Sequence, residues 1–210
     1  MKIGILGTGN VGSTLGRRFA EQGHEIIYGS REPEGEKARR LLSDHPGQAS
    51  AVAIEEAAAS VEVLLLAVPF SAVEDLLGAI GSDYTGILID ATNPIRPELS
   101  GLVLSGSDSA GEYVARLADE ARVVKAFHTV GFQVMANPDF RGQKALLTVC
   151  GDDEEAKALT MDLANSIGFE AVDFGPLRNA RYAEPLAMCW IYLAHEQKMG
   201  TDIALVLARR

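Results

Sequence analysis

Short apolar runs alternate with amphipathic segments along most of this 210-residue chain. Residues 2–6 predict a strand, and residues 11–23 carry apolar side chains at helical spacing until Gly23 ends the helix. The run at 61–68 is apolar on both faces, as the central strands of parallel sheets are. The other predicted strands cover residues 25–29, 86–92, 122–127, 145–151 and 169–175. The pattern therefore predicts an α/β fold built on a doubly wound, mainly parallel sheet.

Amphipathic or polar segments between those strands predict the helices. From Arg178 to the end the chain is predicted to be helical, with a kink or restart at Pro185. Residues 93–109 are predicted to be a turn-rich connection. The other predicted helices cover residues 34–45, 70–80, 110–119 and 152–168. We therefore divide the chain into a sheet domain, residues 1–175, and a short C-terminal helical segment, residues 176–210.

Glycines stand between the first predicted strand and the first predicted helix. In a βαβ unit this spacing is the fingerprint of dinucleotide binding, since a tight turn, a nearby pyrophosphate and close helix packing each need a glycine. The N–H groups that begin the helix would then face the phosphates. The alternative is an ordinary tight turn. We expect a Rossmann dinucleotide site that includes Gly7, Thr8, Gly9, Asn10, Val11 and Gly12.

The end of the second strand indicates which dinucleotide binds. NAD sites usually carry Asp or Glu there, about 20 residues after the glycines, to bind the ribose hydroxyls. Ser30 and Arg31 stand in that place, and a hydroxyl beside a guanidinium suits a 2′-phosphate. A solvated loop arginine is the alternative for Arg31, and Lys37 and Arg39 fit a solvated helix face equally well. The sequence predicts NADP(H) rather than NAD(H).

The motif AVPF lies at the end of the central predicted strand, with its proline just past it. Ala67, Val68 and Pro69 would form an apolar wall beside the ribose and nicotinamide, and Phe70 would lie on the substrate side. A proline that merely ends the strand fits the same residues. The motif therefore adds candidate cofactor and substrate contacts.

The next two strand ends carry polar side chains. Thr92 and Asn93 could hydrogen-bond the nicotinamide ribose or amide, although an Asx-type turn before the next proline fits equally. His128 could donate to a substrate carbonyl or ring nitrogen, and a turn-capping histidine is the alternative. We take His128 as the catalytic candidate and place it, with Thr129, on the substrate side. Hydride transfer needs no covalent nucleophile, and no GxSxG elbow or Cys–His pair is evident in the sequence.

Composition narrows the classes of partner. The formal net charge of −10 argues against nucleic acid or an anionic membrane. The apolar runs are too short to span a membrane, and only Met1 and Lys2 precede the first strand. We therefore expect no signal peptide and a cytoplasmic location. Cys150 and Cys189 are predicted to be buried free thiols, and the four histidines lack metal-ligand spacing.

These motifs together resemble those of the NADPH-dependent reductases of coenzyme F420, an 8-hydroxy-5-deazaflavin. The resemblance covers nearly the whole chain and rests on the glycine-rich N-terminus, AVPF, KAFHTV, VCGDDEEAK and DFGPLRNARYAEPL. The family commonly has Trp where this chain has Phe70, and often a longer stretch where this chain reads ATNPIRPELSGL. The domain also resembles the cytosolic part of the six-transmembrane metalloreductases, which pass electrons from NADPH through flavin to metal ions.

The resemblance implies both a function and further site residues. It implies an NADP-dependent oxidoreductase that transfers hydride between NADP(H) and a deazaflavin, coenzyme F420. Thr8, Ser30 and Arg31 would hold the 2′-phosphate. The C-terminal segment would help to close the substrate pocket through Gly175, Pro176, Leu177, Asn179 and Arg181. The alternatives are a flavin-dependent ferric or quinone reductase and a non-catalytic NADP sensor.

The length and the apolar residues of the C-terminal segment bear on where the substrate binds and on whether the chain forms a dimer. It is too short for the large helical domain with which many Rossmann reductases enclose a small keto or imino acid. The substrate would therefore lie at an open edge of the sheet, which suits a flat, flavin-like ring. Leu186, Trp190 and Leu193 could form a homodimer contact or pack within the chain, and the sequence leaves both open.

Overall fold

The computed structural model describes residues 1–43, 45 and 47–210. Within these residues the strands are β1 (Lys2–Leu6), β2 (Glu25–Gly29), β3 (Ala49–Val52), β4 (Val63–Leu66), β5 (Ile87–Asp90), β6 (Arg122–Lys125), β7 (Asp139–Phe140), β8 (Gln143–Lys144), β9 (Leu146–Gly151) and β10 (Glu170–Asp173). The α-helices are α1 (Asn10–Glu21), α2 (Glu36–Ser43), α3 (Ile54–Ala59), α4 (Val73–Ile80), α5 (Ala110–Leu117), α6 (Phe132–Ala136), α7 (Glu154–Ser166) and α8 (Ala180–Ile191). Short 3₁₀ turns lie at Phe70–Ala72, Pro97–Leu99 and Leu177–Asn179, and a π-helical turn follows α8 at Tyr192–Glu196.

The large sheet has eight strands in the order β10-β9-β6-β5-β4-β1-β2-β3, and β7 pairs with β8 in a separate hairpin. Neighbouring strands of the large sheet are parallel, except that β6 and β9 are antiparallel. The chain builds outwards in opposite directions from β1 and β4, which makes that pair the switch point of the fold. The predicted doubly wound, mainly parallel Rossmann sheet with a short C-terminal helical segment is therefore confirmed.

Two apolar cores cover the two faces of the sheet. Ile3 and Ile5 of β1 join the larger core with Phe19 of α1, whereas Leu6 and Leu64 belong to the smaller core on the other face. Strands β4 and β5 are buried along their whole length because both of their faces are covered. This explains why their sequences are apolar without alternation.

Several elements lay outside the predictions. The sequence pattern did not indicate β3, α3, α6 or the β7–β8 hairpin, all of which are short or lack a strong apolar pattern. The predicted helix at 34–45 is shorter than expected, and its Asp44 lies outside the described residues. Cys150 is a buried free thiol as predicted, but Cys189 is exposed because it lies on the outer side of α8.

The prediction of helix from Arg178 to the end is wrong for the last residues. After the π-helical turn the backbone is irregular, and it is held by contacts with the rest of the chain. Trp190 Nε1 donates to the carbonyl of Ile203 at 2.6 Å, and the backbone N–H of Leu146 donates to the carbonyl of Leu205 at 2.8 Å. These partners replace helical hydrogen bonds, and they place Trp190 within the chain. In the described residues no helix is long and apolar enough to cross a membrane.

Candidate functional site

The carboxyl ends of five strands lie in register along one edge of the sheet. Gly29, Leu6, Leu66, Asp90 and Lys125 are aligned in that order across β2, β1, β4, β5 and β6. At the usual spacing of about 4.8 Å between neighbouring strands, this row is about 19 Å long. The loops that carry most of the predicted site residues directly follow the row. The structure therefore brings those loops to one edge, on both sides of the switch point between β1 and β4.

The glycine loop joins β1 to α1 and leaves the start of the helix accessible. Gly7 has φ of +126°, and a Cβ there would lie 2.2 Å from the carbonyl oxygen of Ala67. A Cβ on Gly12 would lie 2.0 Å from the carbonyl oxygen of Gly7. Around Gly9, by contrast, no described atom lies within 4 Å of an added Cβ, and no side chain caps the helix. An anion can therefore approach the first N–H groups of α1 over Gly9.

The side chains around this loop differ in their exposure. Asn10 is exposed, Thr8 is half-buried, and Val11 packs against the larger core. Ser30 is half-buried, and its Oγ accepts a hydrogen bond of 3.1 Å from the backbone N–H two residues later. Arg31 is exposed and has no ion pair within the described residues. The Arg31 guanidinium is thus available to an anionic ligand.

The AVPF motif lies on the other side of the switch point. Ala67 and Val68 are half-buried, and Pro69 is exposed just before a 3₁₀ turn. The half-buried Phe70 ring packs against Tyr113 of α5, with ring centroids 5.5 Å apart and ring planes tilted by 58°. The motif therefore leads the chain from β4 to an aromatic pair between α4 and α5.

Polar side chains without partners gather after β5 and β6. Thr92 and His128 are each 2% exposed, Thr129 is 4% exposed, and Asn93 is half-buried. Asn93 Nδ2 donates to the backbone carbonyl of His128 at 2.7 Å, which joins the two loops. The remaining polar side-chain atoms of these four residues have no hydrogen-bond partner within the described residues. They are Thr92 Oγ1, Asn93 Oδ1, His128 Nδ1, His128 Nε2 and Thr129 Oγ1. Buried polar atoms are nearly always paired in native proteins, so this cluster is suited to receive a ligand.

His128 is held as a neutral ring. Burial lowers its pKa well below the ordinary value, and the nearby positive charge of Lys125 lowers it further, whereas the backbone carbonyls of Ala183 and Ala126 beside the ring oppose this shift. The preceding residue, Phe127, has φ of +62°, which is unusual for a bulky side chain. Its ring packs between Phe19 and Phe169, with centroids 6.1 Å away in each case. Core packing thus fixes the strained turn before His128, whose ring can hydrogen-bond without carrying charge.

A buried ionic network adjoins this cluster, and the sequence analysis did not identify it. Lys125 Nζ lies 2.8 Å from Asp90 Oδ2 and 3.3 Å from Glu184 Oε1, and all three side chains are at most 1% exposed. Burial raises the pKa of Glu184, whereas the Lys125 charge and two backbone N–H groups oppose that rise. Asp90 and Lys125 could have been recognised from the sequence, because each is a charged residue at the end of an apolar strand, where charges are rare. Glu184 has no such signal, because its contacts come from distant elements.

The predicted pocket residues of the C-terminal segment mostly make contacts within the chain. Pro176 is exposed, and Leu177 is 5% exposed within the smaller core. Asn179 donates to a carbonyl of the preceding loop at 2.7 Å. Arg181 forms a bidentate pair with Glu112 of α5, with distances of 2.8 and 2.6 Å between nitrogen and oxygen. These contacts fix α8 on α5, and substrate contact by Pro176 and Leu177 stays a prediction.

One group of known proteins similar to this chain consists of F420-dependent NADP reductases. The family model described as "NADP oxidoreductase coenzyme F420-dependent" matches residues 2–94. The F420-dependent NADP reductase of Methanocaldococcus jannaschii is 33% identical over 98% of both chains. The crystal structure of a putative F420-dependent NADP-reductase from Arthrobacter sp. FB24 covers 100% of both chains with 31% identity and a TM-score of 0.89.

A second group of relatives is longer than this chain. Metalloreductase STEAP3 of Rattus norvegicus is 32% identical over 98% of the chain, which spans 40% of the length of that relative. A reductive aminase from Aspergillus terreus, determined with NADPH, is 21% identical with a TM-score of 0.68, and the likeness covers 91% of this chain and 61% of that one. The aminase shares the fold alone.

Proposed function

The chain belongs to the family of coenzyme F420-dependent NADP oxidoreductases, and from that membership we propose that it transfers a hydride between NADP(H) and coenzyme F420. It is an oxidoreductase by family. Two features along one sheet edge support the proposal. The start of α1 is accessible, and two to three strands away lie buried polar atoms without partners in the described residues. The first suits a pyrophosphate, and the second suits the polar groups of a nicotinamide.

The order of the loops along the edge supports an NADP(H) that runs from its 2′-phosphate after β2 to its nicotinamide near β5 and β6. Arg31 and Ser30 follow β2, the glycine loop follows β1, and Asn93 and His128 follow β5 and β6. A 2′-phosphate at Arg31 and Thr8 would put the pyrophosphate over Gly9. The nicotinamide would then lie beside Val68, Pro69 and Asn93, which matches the order of groups along the cofactor.

The acceptor ring is proposed to stack over the nicotinamide, between Phe70 and the loop that carries His128 and Thr129. When bound, NADPH supplies a hydride to the acceptor. The residues named above would hold both rings at reacting distance. His128 is the proposed catalytic residue: its neutral ring donates a hydrogen bond to the side of the acceptor on which negative charge develops. Pro176 and Leu177 are proposed to border the acceptor from the C-terminal segment.

A flavin-dependent ferric reductase is the second candidate. The observation that favours it is the identity of 32% to rat metalloreductase STEAP3 over 98% of the chain. The same nicotinamide site would then serve a flavin in place of the deazaflavin. A non-catalytic NADP sensor would use the site for binding alone.

The test is a parallel assay of acceptors. Purified protein is mixed with NADPH, or with NADH as the control, and with coenzyme F420 or with FMN or FAD plus ferric citrate. The proposal expects bleaching of the deazaflavin that depends on NADPH and not on NADH. Ferric reduction that requires flavin, without deazaflavin bleaching, would favour the second candidate. Tight NADPH binding without turnover of any acceptor would refute both and favour the sensor.

We also propose that the protein acts in the cytoplasm, as a homodimer that pairs through the C-terminal segment. Tyr182, Tyr192 and Met199 of that segment are 69%, 55% and 59% exposed. Light scattering during size-exclusion chromatography measures the mass directly. A mass of one chain, 22.4 kDa, at micromolar concentration would refute the dimer.

A further inference from the structure

The ionic network of Lys125, Asp90 and Glu184 is unusual for a protein core. Removing one cation and two carboxylates from water is costly, and apolar side chains would fill the same space at lower cost. The network also lies at the carboxyl ends of β5 and β6, directly before the loops with the unpartnered polar atoms. Its place in the fold therefore relates it to the nicotinamide end of the site.

The ammonium of Lys125 is held by oxygen atoms within the chain. Lys125 Nζ donates to Asp90 Oδ2 at 2.8 Å and to the backbone carbonyl of Thr92 at 2.6 Å, and it lies 3.3 Å from Glu184 Oε1. The Lys125 side chain is 0% exposed, so it is not open to a ligand. Asp90 Oδ1 accepts from the backbone N–H of Thr92 at 2.8 Å. Lys125 and Asp90 thus hold both the N–H and the carbonyl of one residue.

The constraint extends from Thr92 to the second loop. The next residue, Asn93, uses its side-chain amide to hold the backbone of His128. The network therefore fixes the backbone of Thr92, and the Asn93 amide fixes that of His128. Both residues, and Asn93 between them in this series of contacts, carry polar side-chain atoms that lack partners in the described chain. Such an arrangement keeps polar atoms in place for a ligand before it binds.

Glu184 connects the network to two helices. Its carboxylate oxygens accept from the backbone N–H groups of Ala110 and Gly111, each at 3.0 Å, at the start of α5. Glu184 itself belongs to α8. Through Lys125, the C-terminal segment is thereby coupled to the loops after β5 and β6.

We propose that Lys125, together with Asp90 and Glu184, is a positioning residue for the hydride transfer. It acts through the backbone of Thr92 and through Asn93, and it holds the nicotinamide end of the site in the geometry that hydride transfer needs. This inference rests on the proposed function. Misplacement of reacting groups by about 1 Å can cost about a hundredfold in rate.

The test compares two buried lysines. Lys125→Met removes the ammonium, and the double variant Lys125→Met with Glu184→Gln removes it while the three positions keep their formal charge of −1. The double variant is included because two unpaired buried carboxylates can prevent folding. Lys157→Met is the matched control, since Lys157 is also buried and also contacts two carboxylates, those of Asp173 at 3.0 Å and Glu154 at 2.9 Å.

Three measurements separate positioning from general stability. Amide hydrogen exchange of the cofactor-free protein reports on residues 90–95 and 126–131. Fluorescence titration gives the Kd for NADPH, and a single turnover with saturating NADPH and coenzyme F420 gives the rate constant of hydride transfer in the folded molecules. We expect faster exchange in both segments, a Kd within about threefold of wild type, and a rate constant about ten- to a hundredfold lower. Lys157→Met should leave all three near wild type.

Two failures are distinguishable. If wild type transfers no hydride from NADPH to the deazaflavin, the proposed function fails and the inference falls with it. If wild type is active and both Lys125 variants match Lys157→Met in local exchange and rate constant, Lys125 is structural and the inference alone is overturned. Glu184→Gln, the mildest change, should give a smaller effect in the same direction.

Discussion

The site around β1 and β2 presents backbone N–H groups and an exposed arginine, whereas the site around β5 and β6 is buried and held by ionic and polar contacts. A phosphate is recognised by charge and N–H groups, which can face solvent until the ligand arrives. A nicotinamide must be held at a fixed distance from a second ring, so its surroundings must be rigid beforehand. We therefore expect substitutions at the first end to change the affinity for NADPH and substitutions at the second end to change the rate of hydride transfer.

The glycine loop should give the largest effect. Gly9→Ala fits the backbone, whose φ is −81°, but its methyl group occupies the space over the helix start. We expect NADPH affinity to fall about a hundredfold, or about 2.7 kcal/mol, with Tm almost unchanged. Gly7→Ala, which clashes with a carbonyl, should lower Tm as well. Wild-type affinity in Gly9→Ala would place the pyrophosphate elsewhere.

Arg31→Ala should affect the cofactors unequally. Loss of a guanidinium from a 2′-phosphate should cost about 2 kcal/mol, or tens-fold in affinity for NADPH, and NADH should lose little. Titration of both cofactors measures the difference. Lys144→Ala, on the exposed strand β8 outside the site, is the control and should change neither. Equal losses for NADPH and NADH would contradict the assignment of Arg31.

His128→Ala tests the buried end. Removal of one hydrogen-bond donor from the acceptor should lower turnover about tenfold, which corresponds to about 1.4 kcal/mol, with NADPH affinity near wild type. Steady-state kinetics and a separate NADPH titration give the two numbers. His195→Ala is the control, because His195 is exposed in the π-helical turn after α8. Unchanged turnover in His128→Ala would leave His128 with a structural role.

The smallest effect concerns pH and stability. Because the pKa of His128 is lowered in the folded state, the unfolded chain binds more protons below about pH 6.5. The free energy of unfolding should therefore decrease as pH falls from about 7 to 5, by at most about 1.4 kcal/mol per pH unit from this group. Urea unfolding of wild type and His128→Gln checks the sign, since the variant should lose part of this slope. Identical slopes would mean that His128 is not buried in its neutral form.

The sequence signals for the first end of the site are local, whereas those for the second end are not. A glycine spacing between a strand and a helix is local, and so is the change from an acid to Ser30 and Arg31. The apolar runs likewise predicted the central strands, because burial on both faces leaves a mark in composition. The short β3 and α3, which have only four and six residues and are rich in alanine, left no comparable mark.

The strand pattern, the glycine loop and the predicted phosphate preference after β2 can all be read from neighbouring residues, because each depends on short stretches within a βαβ unit. The network around Lys125 and the irregular path of the last residues depend instead on how distant elements pack. Asp90, Lys125 and Glu184 come from three elements up to 94 positions apart, and their buried charges are compatible with the fold only because they meet. Such long-range pairing depends on how the elements pack, and no local pattern encodes it.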